Sequence, residues 1–106
     1  MELITSRRNP LVGRLRALHQ GRGRREQGLL LLEGTHQLQE LLRLGLRPEQ
    51  LLATPAWIDR HGALLAACPQ PPQPVGEEVL AAVATTEHPD GVVATLAAAA
   101  LPQPSG

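Results

Sequence analysis

Apolar residues fall along the chain in blocks whose spacing predicts alternating helices and strands. Asn9 is a good helix N-cap and Pro10 a good first helical residue. Leu11, Leu15 and Leu18 then repeat on one face, with Val12 beside them, and Gly21 is expected to end the helix. Gly21–Gly28 holds three glycines and three arginines and is expected to be a flexible basic loop. Leu29–Leu32 follows, an unbroken apolar run between Gly28 and Glu33-Gly34. Four large apolar residues in succession cannot alternate in and out. They are expected to form a central strand of a helix-covered sheet, with a buried helical turn as the alternative.

Thr35 is expected to cap a second helix, with Leu38, Leu41 and Leu42 facing inward and Gly45 closing it. Gln50–Ala53 reads as a short strand, and Thr54-Pro55 opens a helical stretch carrying Trp57, Ile58, Leu64 and Leu65. The prolines between Cys68 and Pro74 permit only a loop or a short edge strand around Val75. Gly76-Glu77-Glu78 starts a short helix through Val79, Leu80 and Val83, with acids suited to its first turn. Thr86–Gly91 is a turn, and Val92–Leu96 a final strand. The alternation predicts an α/β fold, a small three-layer α/β/α sandwich, over residues 1–96. Residues 97–106, with their Ala run and Pro/Ser/Gly ending, read as a linker.

Charge changes this picture. The 106 residues carry zero net charge, yet residues 1–25 hold seven Arg against one Glu, a surplus of six. Residues 26–106 hold three Arg against nine acids, a deficit of six. A cationic arm therefore leads a mildly acidic body. All ten basic residues are Arg, the side chain that grips phosphate with a planar two-pronged fork. Trp57 is the only aromatic residue, which excludes folds that stack single-stranded bases on several exposed rings. A nucleic-acid partner would have to be held by backbone charge and shape.

Arg7, Arg8, Arg14, Arg16, Arg22, Arg24 and Arg25 form the main candidate site, for the phosphate backbone of a nucleic acid; the alternative is a solvated basic surface. Gly21–Arg25 lacks the strand before it and the Gly-Lys-Ser/Thr ending of a nucleotide-binding loop. His19, His36, His61 and His88 have no metal-like spacing, and Cys68, the single cysteine, has no nucleophile context and forms no disulfide framework. Glu33, between strand and glycine, reads equally as a site residue, as a cap of the next helix or as an Arg partner. No Ser/His/Asp arrangement or carboxylate pair marks an active site. No stretch reaches the roughly 20 apolar residues of a membrane helix, and no secretory signal leads the chain. The cytoplasm is the expected compartment.

Four segments in order, Ile4-Thr5-Ser6-Arg7-Arg8-Asn9-Pro10-Leu11-Val12, Arg24-Arg25, Leu30-Leu31-Leu32-Glu33-Gly34 and His88-Pro89-Asp90-Gly91-Val92-Val93-Ala94, carry a resemblance. Residues 3–96 resemble the N-terminal substrate-binding domain of the SpoU/TrmH family of RNA 2′-O-ribose methyltransferases. The resemblance implies a fold like the kink-turn-binding ribosomal proteins and a structured RNA partner, mainly rRNA and sometimes tRNA. Ser6, Asn9, Arg25, Glu33 and Gly34 match typical positions, which adds Asn9 and Glu33 to the arginines as expected RNA-binding residues. The sequence departs from the pattern at Gly13, where Lys is common, at Leu30, where Phe is usual, and at Asp90, where Gln is usual.

The family's other half is a knotted domain that binds S-adenosylmethionine and forms a homodimer, and its motifs do not occur in these residues. The expectation is an RNA-recruiting half that holds no cofactor and no catalytic residue of its own, with S-adenosylmethionine belonging to the full-length protein. Two rival readings stay open: a stand-alone ribosomal or kink-turn RNA-binding protein, and a protein-interaction module whose basic arm grips an acidic partner.

Overall fold

A computed structural model describes residues 1–101. Its centre is a four-stranded mixed sheet in the order β1-β4-β2-β3. The strands are β1 (Leu29–Glu33), β2 (Gln50–Ala53), β3 (Gln73–Pro74) and β4 (Val92–Ala97). The last strand lies in the middle: β4 runs antiparallel to β1, with Leu29 opposite Ala97, and antiparallel to β2, with Leu52 opposite Val93. β2 and β3 are parallel. Six α-helices cover the two faces: α1 (Pro10–Arg16), α2 (Gly21–Gln27), α3 (Thr35–Arg43), α4 (Pro55–Arg60), α5 (Gly62–Ala66) and α6 (Glu77–Val83).

Strand alternation sends consecutive side chains to opposite faces, and two cores result. Leu52 and Val93 pack with Leu11, Val12, Leu15 and Leu18 of the α1 region and with Val79, Leu80 and Val83 of α6. Leu51, Ala53, Val92 and Ala94 face the other way, against Leu38 of α3 and Trp57 of α4. The three-layer expectation is met.

Two local expectations are corrected. Leu29–Leu32 is a strand, but β1 lies at the sheet edge and is only half-buried throughout; the buried central strands are β4 and β2. The leucines are apolar because Leu29 and Leu31 pack against the α1-side core and Leu32 against the α3-side core, so both faces are covered while the edge is open. The expected loop Gly21–Gly28 is instead helix α2. Glycine costs about 1 kcal/mol in a helix interior, and tertiary contact offsets it. Gly23 is buried so closely against the preceding turn that an added Cβ would stand 1.9 Å from the Ala17 carbonyl oxygen. Gly28, at φ 66°, ends α2 in the left-handed conformation that glycine adopts freely. The first helix accordingly stops at Arg16, and a 3₁₀ turn over Ala17–His19 leads into α2 rather than ending at Gly21.

Smaller differences follow. Gly34, not Thr35, stands at the N-cap of α3, and the Thr35 side chain is used elsewhere. The helix carrying Trp57 is broken at His61 into α4 and α5. β4 runs one residue further than expected, to Ala97, and a 3₁₀ turn follows at Ala98–Ala100. The remainder of the expected linker, residues 102–106, lies outside the described residues.

Candidate nucleic-acid interface

The leading arm is fixed at both ends. Ile4 bridges to Val75, with its N–H donating to the Pro74 carbonyl at 3.1 Å and its carbonyl accepting from the Gly76 N–H at 2.8 Å. Next comes a turn closed by the Asn9 N–H donating to the Ser6 carbonyl at 3.1 Å, which sets Arg7 and Arg8 at its tip. The Ser6 hydroxyl accepts from the Arg8 N–H, and the Asn9 side-chain oxygen accepts from the Leu11 N–H at 2.9 Å, capping α1 as expected. The cations thus stand on an ordered turn, so little backbone entropy is lost when they meet a ligand.

Arg7, Arg8 and Arg16 converge with His19 on one open cleft of about 700 Å³, floored by Ala81, Ala82, Ala84 and Thr85 at the end of α6. The three arginines are exposed, and among the described residues none is ion-paired. His19 ties the cleft's two walls, its Nε2 lying 2.6 Å from the Val83 carbonyl oxygen. Small side chains on one wall leave room, and cations on the other supply attraction.

The remaining arginines are placed elsewhere. Arg24 and Arg25 border a second hollow with Gly21, Gly28, Leu30 and Ala98. Arg24 also donates to the Leu18 carbonyl at 3.0 Å, holding α2 against the turn before it. Arg22 pairs with Glu26 one turn along at 2.9 Å, both side chains in solvent. Arg14 is exposed on α1, and its backbone carbonyl accepts the Gln27 amide at 2.7 Å. The structure therefore gathers three of the seven expected arginines at one cleft, two at another, and gives Arg22 an acidic partner.

Glu33 sits at the opposite end of β1 from Gly28. Its carboxylate accepts the Thr85 N–H at 2.9 Å, the Thr85 hydroxyl, and the Thr86 N–H at 3.4 Å. It thereby fixes the turn that follows α6 and, through Thr85, one edge of the arginine cleft. Of the three readings open in the sequence, neither the Arg pair nor the side-chain cap is what forms.

A polar network that sequence reasoning missed lies next to it. The Trp57 indole N–H donates to the Thr35 hydroxyl at 2.8 Å, and the Thr35 N–H donates to the Asp90 carboxylate at 2.8 Å. The Thr35 hydroxyl and then its N–H hold the Asp90 carboxyl below its ordinary pKa. Trp57 is fully buried, stacks on His61 with centroids 4.3 Å apart, and backs against Gly91. A lone tryptophan whose N–H must find a partner was the available signal.

Neither arginine-lined hollow suits S-adenosylmethionine. Arginines border both hollows already described and repel a sulfonium cation. A third hollow is lined by Glu77, Glu87 and Asp90 together with Arg60. Burial raises the pKa of the Cys68 thiol, which lies just past α5 and donates to the Leu64 carbonyl. No described helix is long and apolar enough to cross a membrane.

Comparison with known proteins agrees with the geometry. Over 96 residues the chain is 48% identical to an uncharacterized tRNA/rRNA methyltransferase of Synechocystis, covering 88% of this chain and 35% of that protein. An rRNA methyltransferase of Sinorhizobium meliloti superposes with a TM-score of 0.71 at 26% identity, over 90% of this chain and 36% of its own. An RNA 2′-O ribose methyltransferase structure superposes with a TM-score of 0.80 at 25% identity, over 98% of this chain and 39% of its own. The chain thus spans little more than a third of the proteins it matches. Residues 9–94 match the family model of the MRM3-like substrate binding domain, and the chain belongs to that family, as the motif order had led one to expect.

Proposed function

We propose that this chain is the RNA-recruiting domain of a SpoU/TrmH-type 2′-O-ribose methyltransferase acting on rRNA or tRNA. The observation that carries the reading is the cleft where Arg7, Arg8 and Arg16 stand without an acidic partner among the described residues, on a turn that is already ordered. Guanidinium forks held this way suit successive phosphates of folded RNA. Arg24 and Arg25, at the second hollow, and the exposed Arg14 offer further phosphate contacts. Asn9 and Glu33 act by holding the turns that shape the cleft rather than by touching RNA. Holding the RNA raises its effective concentration at a tethered catalytic centre.

Supporting this are the tRNA/rRNA and rRNA methyltransferases that the chain resembles, one of them solved bound to AdoMet. Methyl transfer, S-adenosylmethionine binding and homodimerisation belong in this reading to a separate knotted domain of a cytoplasmic full-length protein. Residues 1–96 do no chemistry.

Titration of structured rRNA fragments at several salt concentrations tests the reading. With about three phosphates at the cleft, the logarithm of affinity falls with the logarithm of salt at a slope of about −2 to −3 from those contacts alone. A flat salt response, or equal binding to an acidic polypeptide, would overturn it.

A further inference from the structure

The two edges of the sheet are finished differently. At the β3 edge, Pro74 removes one donor, Ile4 bridges Val75, and the Gln73 amide donates to the Glu2 carbonyl at 2.7 Å. At the β1 edge, among the described residues, only Glu33 is closed off. In an antiparallel pair, alternate residues bond the neighbour while those between point their N–H and C=O outward. The Ala98 N–H donates to the Gly28 carbonyl at 2.9 Å and the Gly34 N–H to the Val92 carbonyl at 3.0 Å. Even-numbered residues therefore face β4, and Leu29, Leu31 and Glu33 turn their backbones to the open side. Glu33 is closed off, since its N–H donates to the Gln37 side chain at 3.0 Å. Leu29 and Leu31 remain, with no partner for their outward groups among the described residues.

We propose that β1 is a self-pairing edge, joining a second copy of this chain through antiparallel β1–β1 contact into a continuous eight-stranded sheet. One register satisfies the geometry. Leu29 faces Leu31 of the second copy, Leu31 faces its Leu29, and Leu30 meets Leu30 on the twofold axis. That register bonds all four outward groups of each copy and stops short of both helix α2 and the Gln37-capped Glu33. Shifting it by two residues would bring in one or the other. Charge is complementary in the same arrangement. Arg24 and Arg25 flank the start of each β1 and Glu33 and Asp90 its end, so antiparallel docking sets basic against acidic twice. The half-buried leucines lose part of their remaining exposure to the neighbouring strand.

The twofold supplies a sharp test. A central non-hydrogen-bonded pair holds its Cα atoms about 4.5 Å apart, within the roughly 4.4–6.8 Å that a disulfide spans. Leu30→Cys in a Cys68→Ser background is expected to cross-link to a covalent dimer under mild oxidation far faster than Leu44→Cys, an exposed site away from the edge. Sedimentation equilibrium over a concentration series is expected to show the chain moving from 11.4 kDa to twice that mass. Leu30→Lys, which sets two ammonium groups against each other on the axis, is expected to keep it monomeric with an unchanged circular dichroism spectrum. A mass of 11.4 kDa at every concentration, a dimer that survives Leu30→Lys, or cross-linking no faster at position 30 than at position 44 would each overturn the proposal.

Discussion

Two polar regions of this molecule make opposite use of their hydrogen-bonding groups. At the carboxyl end of β1, Glu33 bonds Thr85 and Thr86 while Trp57, Thr35 and Asp90 bond in a chain, so the region is closed on itself. At the Arg7–Arg8–Arg16 cleft the backbone is tied down but the charged ends point into open space. Donors engaged internally hold architecture together. Donors held ready on a fixed frame serve a ligand, because the ordering entropy is settled before the ligand arrives. The first region therefore governs whether the chain folds, and the second what it holds.

Substitutions can separate the two roles. Trp57→Ala empties the centre of the α3-side core and leaves the Thr35 hydroxyl without its donor, with an expected loss of about 3–5 kcal/mol. That approaches the whole stability of a small domain, and thermal unfolding followed by circular dichroism measures it. Replacing Arg7, Arg8 and Arg16 together by Ala is expected to leave the melting temperature nearly unchanged and to flatten the salt slope of RNA binding by about two to three. A large fall in melting temperature would mean that the cleft is architecture after all.

Intermediate cases sharpen the division. Glu33→Ala unties Thr85 and Thr86 and is expected to cost about 1 kcal/mol in chemical denaturation, with weaker RNA binding at an unchanged salt slope. Within α2, Arg24→Ala loses the bond to Leu18 and is expected to destabilise by about 1 kcal/mol, whereas Arg25→Ala stays within about 0.5 kcal/mol. The smallest effect is in acid. Because Thr35 lowers the folded pKa of Asp90, its contribution is present above the ordinary carboxylate value of about 3.9 and fades as pH falls through the lower folded value. Asp90→Asn is expected to flatten that part of the stability–pH curve in acid titrations.

Much of this was readable from the chain because local signals and tertiary structure agree. Asn9-Pro10 starts a helix, Gln50–Ala53 and the Val92 run are strands, and Gly76-Glu77-Glu78 opens α6. The misses fall where distant contacts override local preference. At Gly21–Gln27 the glycines hide a helix that the Arg22–Glu26 pair supports and whose seat on Ala17 admits only glycine at position 23. Four leucines signal coverage on two faces but not whether a strand has neighbours on both sides. The seven arginines are visible as a sum, while their division between two hollows depends on α2 being a helix.

The position of β4 bears on how the chain comes into being. Synthesis delivers the amino end first, yet the strand that joins β1 to β2 is built from residues 92–97. Until that segment leaves the ribosome, β1 has no strand beside it, and β2 has only the two-residue pairing with β3. The sheet therefore assembles late and by insertion rather than by growth. Its pairings link residues as far apart as Leu29 and Ala97, and such long-range closure slows folding. During that interval the nascent chain has its leucine-rich β1 segment already made and its central strand still to come.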